Sequence, residues 1–130
     1  MASYEKAHLD EIASEKWPHW IPVRHHFGIE TFGLNGYRRD AGEGVVPEHD
    51  EADSGHPELY YVASGHATFS VAGEEVDAPA GTFVWVPEAA ARRSAEAKED
   101  GTLVLAIGAA APGEVFTPDG WDSQYLEAES

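Results

Sequence analysis

Short runs of apolar residues, broken by glycine, proline and acidic turns, recur along this chain. Leu59-Tyr60-Tyr61-Val62 is the clearest run, closed by Ser64-Gly65. His66 to Val71 alternates apolar and polar positions into a turn at Ala72-Gly73, and Glu74 to Ala78 returns from it. Pro79-Ala80-Gly81 turns again. Thr82-Phe83-Val84-Trp85-Val86 is then apolar throughout and stops at Pro87. Arg92 to Ala97 and Thr102 to Ile107 follow, separated by Asp100-Gly101; Glu43 to His49 and the glycine-interrupted Phe27 to Tyr37 come earlier. Around nine short strands at roughly 8–12-residue spacing predict an all-β sandwich or barrel. Long helices do not alternate with them, which argues against a parallel α/β sheet.

The ends differ from the middle. Leu9 and Ile12, three apart in Tyr4 to Glu15, predict a short helix or an extended arm. Trp17-Pro18-His19-Trp20-Ile21-Pro22 is punctuated by proline and should be extended or turning. From Gly108 the chain carries Pro112, Gly113, Pro118 and Gly120, with Phe116, Trp121 and Tyr125 as anchors for a tail on the outside. The expected division is an N-terminal arm or short helix and first strand over 1–26, a barrel over 27–107 and a packed tail over 108–130.

A chain of 130 residues is one domain. With 42% hydrophobic and 11% aromatic residues, it has the material for a core. Asp and Glu number 24 against 8 Lys and Arg, a net charge of −16. Phosphate backbones and anionic lipid surfaces repel such a chain, so the expected partner is a small molecule, not nucleic acid or a membrane. No run approaches the ~20 apolar residues of a membrane span. The first residues show no basic-then-apolar leader, so cytoplasmic residence is expected. Cysteine is absent, which removes disulfides, thiolate nucleophiles and Cys-based metal sites.

Chemistry is densest from Glu43 to Glu58, which holds six acids and two histidines with no Lys or Arg. Residues two apart on a strand share a face. His49 and Glu51 can therefore point together, as can His56 and Glu58, and the loop Ala52 to Gly55 can bring the two pairs side by side. Two imidazoles and two carboxylates suit one divalent transition metal such as Fe, Mn, Ni or Zn. The competing account is a solvated acidic loop.

The acidic stretch runs straight into a strand, and here the sequence resembles the cupin superfamily. Its first motif reads G-x5-H-x-H-x(3,4)-E-x6-G. Glu58, six residues and Gly65 match the second half, and His49 stands at the first ligand histidine. The second motif reads G-x5-P-x-G-x2-H-x3-N. Gly81, five residues and Pro87 match its first half. The resemblance spans roughly Phe27 to Ile107. It implies a small single-domain jelly-roll β-barrel with a pocket at one end.

The departures are specific. Four residues separate Gly44 from His49, Glu51 replaces the second histidine, and six residues lie between Glu51 and Glu58. The second motif is degenerate: Ala89 replaces glycine, Arg92 stands at the last ligand histidine and Glu96 replaces asparagine. An inward Arg92 cannot ligate a metal; it would pair with Glu51 or Glu58, or clamp a substrate carboxylate. A register slip of one would put Arg93 there instead. Tyr60 and Trp85 are further candidates for substrate contact, each with a polar handle. His25 and His26 are adjacent, so on a strand they face opposite ways, and His26 is the one that could reach His49. His66 should be exposed.

Neither a phosphate-binding glycine loop nor a nucleophile elbow is present, and no organic cofactor is implied. The expected protein is a small-molecule-binding cupin, either a divalent-metal enzyme of oxygenase, isomerase or lyase type or a metal-free binding barrel. A third role is a homodimeric module in which the arm carrying Trp17 and Trp20 swaps onto a neighbour.

Overall fold

The computed structural model describes residues 3–13, 19–111 and 113–116. Trp17, Pro18, Pro112, Pro118, Gly120, Trp121 and Tyr125 lie outside the described residues. Nine strands are present among those described: β1 Trp20–Ile21, β2 Gly33–Arg39, β3 Gly44–His49, β4 Glu58–Ser64, β5 His66–Val71, β6 Glu74–Pro79, β7 Phe83–Val86, β8 Arg93–Ala97 and β9 Thr102–Gly108. They form two antiparallel sheets, ordered β1-β2-β9-β4-β7 and β3-β8-β5-β6. The chain changes sheet repeatedly, which is the jelly-roll path. No described helix is long and apolar enough to cross a membrane.

Two short helices precede the barrel, α1 Leu9–Ile12 and α2 Val23–Phe27. The second corrects the strand reading of His25 and His26. Pro22 starts it, and Gly28, at φ 70°, ends it in the left-handed conformation, its N–H reaching the Arg24 and His25 carbonyls. His26 is exposed there and is not directed at His49.

The core lies between the sheets. Strand β4 buries Glu58, Tyr60 and Val62, β5 buries Ala67 and Phe69, β8 buries Ala95 and Ala97, and β9 buries Val104 and Ala106. Strand β7 buries Val84 and Val86 and turns Phe83 (62% exposed) and Trp85 (58%) to the outer face. Trp85 therefore does not line the interior, contrary to expectation. Phe83 packs instead on Tyr61, ring centres 4.5 Å apart. An apolar run on both faces of an edge strand gives no phase, so sequence cannot tell which pair goes inside.

Strand β3 is irregular. Its register against β8 shifts between Gly44 and Val46 and again between Val46 and His49. Both Val45 and Val46 are buried, as a bulge allows. The second shift brings His49 opposite Arg93.

Gly65 turns the chain from β4 into β5 at φ 76°. A Cβ there would lie 2.7 Å from the Thr102 Cα, backbone that cannot move aside. Left-handed strain and overpacking together predict that Gly65→Ala lowers stability by about 2–3 kcal/mol. Urea denaturation of the variant checks this, and a loss below about 0.5 kcal/mol would contradict the packing.

Candidate metal centre

Three elements converge at one end of the barrel. Bulged β3 delivers His49, the loop after it delivers Glu51, and the first residue of β4 delivers Glu58. A ligating atom from each lies within 4.8 Å of the others. His49 Nε2 is 3.2 Å from Glu51 Oε1 and 3.4 Å from Glu58 Oε1.

Each group is held by its neighbours. His49 Nδ1–H donates to the Pro47 carbonyl at 2.8 Å, which turns Nε2 toward the two carboxylates. Ser54 Oγ donates to Glu51 Oε2 at 2.9 Å, leaving Oε1 for His49. The Glu51 backbone N–H is tied to the Ala89 carbonyl at 2.7 Å. Glu58 is 3% exposed; its Oε1 accepts from Tyr60 Oη at 2.6 Å and from Arg93 Nη1 at 2.8 Å.

Burial alone would depress the His49 pKa. Hydrogen bonds to Glu51 and Glu58, the Pro47 carbonyl and the Glu58 charge outweigh it and push the imidazole up to about 10. Burial, with the Glu58 charge and hydrogen bond, raises Tyr60 well above the usual phenol range, so it stays a donor.

Arg93, not Arg92, is the inward arginine. Its side chain is 1% exposed and spans from β8 to Glu58, with Nη2 donating to the Glu88 carbonyl at 3.1 Å. Arg92 points outward, 3.4 Å from Asp50 and 3.7 Å from Glu48. The alternation of β8 sets this: Arg93, Ala95 and Ala97 are buried.

The four expected ligands thus divide. His49, Glu51 and Glu58 come together, whereas His56 is buried with its ring stacked on Phe116 at 4.9 Å and does not join them. Tyr60 lies inside, bonded to Glu58; Trp85 and Arg92 do not. His66 is partly buried, with Nε2 2.5 Å from Asp77 Oδ1. Asn35 on β2 is also interior, 1% exposed, a position the sequence pattern does not mark. A lone Asn in the glycine-rich run Gly33-Leu34-Asn35-Gly36 reads as a turn residue, so nothing in the sequence marks it as interior.

No family profile and no curated protein matches the chain. Solved structures do. A cupin protein from Bacteroides fragilis superposes with a TM-score of 0.70 at 21% identity, over 90% of this chain and 93% of that one. A predicted oxalate decarboxylase from Thermotoga maritima gives 0.56 at 19% identity, over 68% and 74%. A sugar phosphate isomerase of the cupin superfamily from Silicibacter pomeroyi gives 0.59 at 17% identity, over 72% and 59%. The architecture is an antiparallel jelly roll with a His/Glu group at one end. The fold is the one these cupin structures share.

Proposed function

We propose that this barrel is a divalent-metal site acting on a small organic molecule, by isomerase, lyase or oxygenase chemistry. One observation carries the reading: His49 Nε2, Glu51 Oε1 and Glu58 Oε1 face one another, with the imidazole tautomer fixed from behind by Pro47. One imidazole and two carboxylates fit a first-row dication such as Fe, Mn, Ni or Zn, and no thiol competes. A dication held by three residues keeps open positions and supplies Lewis-acid polarisation of a coordinated oxygen. Tyr60 and Arg93 hold Glu58 in place, and Ser54 does so for Glu51. Cytoplasmic residence and homodimerisation are part of the same proposal.

A second reading, a metal-free binding barrel, is favoured by Arg93. Its guanidinium already occupies Glu58 at 2.8 Å, as a resident cation. Elemental analysis of protein purified without added metal separates the two. The metal reading expects near one equivalent, lost in His49→Ala. Substoichiometric metal with no uptake on titration leaves the metal-free barrel.

A further inference from the structure

We infer that the outer face of the five-stranded sheet is the surface on which two copies of this chain meet. This rests on the homodimer proposed above, not on the metal reading, and it names the surface.

An antiparallel sheet with one face on the core ordinarily turns polar residues to water on the other. The four-stranded sheet does so. Its outer positions place Asp77 beside Thr68 and Thr68 beside Glu96, then Glu75 beside Ser70 and Ser70 beside Ser94. The five-stranded sheet does not. Its strands β4, β7 and β9 alternate buried positions with ones open to solvent, and the open ones are apolar too. One row across the sheet is Leu34, Ile107, Leu59 and Trp85. The next is Gly36, Leu105, Tyr61 and Phe83. Residues directly opposite in antiparallel strands share a face, so the two rows form one surface. Neither row carries a charge, in a chain with 24 acids.

The chain covers one end of this face itself. Ile21 of β1 stands opposite Gly36, is 1% exposed, and has its Cβ 3.2 Å from where a side chain on Gly36 would begin. The other end is open, with Phe83 62% and Trp85 58% exposed. Aromatic side chains of this kind are the residues that anchor interfaces.

Charge selects the occupant. A second copy also carries −16, so contact through an acidic surface is repelled, and an uncharged face is where two copies approach at least cost. Salt screens the acids beyond the rim over about 8 Å. Nucleic acid and anionic lipid have no such neutral face to offer. Strands about 4.8 Å apart, with same-face residues about 6.8 Å apart, give the two rows roughly 250 Å² in projection. Two copies thus contribute roughly 500 Å² of apolar centre, a little under half of the ~1,200 Å² at which specific interfaces begin, and a polar rim supplies the rest. A face that meets its own copy closes as a two-fold pair.

The test is sedimentation of the full chain at about 10 μM, a concentration at which a micromolar dimer is populated. Wild type should sediment as a dimer. Trp85→Glu should weaken the dimer about 100-fold and sediment as a monomer. Phe83→Glu should do the same from the second row, which decides the matter if one variant fails to fold; circular dichroism and urea midpoints check the fold. Ser70→Glu, on the polar face of the other sheet, should remain a dimer. Folded Trp85→Glu and Phe83→Glu variants that remain dimeric overturn the surface and leave the homodimer standing through another one. A monomeric wild type overturns the surface and the homodimer together, and residues 117–130 of the same chain are then the occupant to consider. Neither result bears on metal uptake.

Discussion

Glu58→Leu should cost the fold about 3–5 kcal/mol and, on the proposed metal reading, abolish metal uptake with it. The size follows from what Glu58 Oε1 holds. Arg93 is completely buried and its charge is answered there, at 2.8 Å. Tyr60 donates to the same oxygen, and His49 stands 3.4 Å away. Removing the carboxylate strands a guanidinium in the core, which is far worse than losing a contact between exposed ions. A domain of this size is stable by about 5–15 kcal/mol in total, so the variant sits near unfolding. The pair itself is a different matter. Replacing both partners by apolar residues, Glu58→Leu with Arg93→Met, restores most of the lost stability, because the desolvation cost of both ions disappears together. Urea denaturation of the two single variants and the double variant measures the coupling. A double variant as unstable as the sum of the singles would mean that Glu58 and Arg93 do not act as a pair.

That pair also shows where the sequence is legible and where it stops. Leu59 to Val62, closed by Gly65, reads directly as a strand and turn, because apolar β-formers end at a residue whose Cβ would strike Thr102. Glu58 is legible with it, one position before the run and in phase with Tyr60. His49 and Glu51 are legible as neighbours of opposite charge potential two residues apart. The choice between Arg92 and Arg93 is not, because motif spacing counts residues while a barrel counts phase. The segment before β8 absorbs one residue, and the inward position passes from Arg92 to Arg93. Bulges in β3 do the same to any alternation argument between Gly44 and His49. His56 fails as a ligand for a related reason. It belongs to the loop before β4, so sharing a strand face with Glu58 was never available to it, and stacking on Phe116 needs a contact sixty residues away in sequence. Such partners cannot be read from local pattern.

Raising the pH from about 6 to about 8 strengthens metal binding by about tenfold per unit while the metal-free fold loses stability. Both effects come from one proton on His49. In the folded chain its pKa is pushed up to about 10, against an ordinary 6.5. A group whose folded pKa is raised stabilises the fold fully below its unfolded value. That contribution is then lost as pH climbs through the folded value. The metal-free protein is therefore most favoured by His49 below about 6.5 and loses that support progressively up to about 10. Metal needs the Nε2 lone pair, so binding must expel the proton that bridges Glu51 and Glu58. Below the folded pKa each ion bound releases one proton, and apparent affinity rises as proton activity falls. Zinc titrations at several pH values give the slope. Calorimetry in two buffers of different ionisation enthalpy counts the proton. His49→Gln keeps a polar side chain but cannot hold the proton, so it should flatten the pH dependence of stability and abolish the pH-dependent part of metal binding. An affinity that stays flat across this range in the wild type would show that zinc does not displace a proton from His49, and the imidazole would then belong to the ion-pair network and not to a metal.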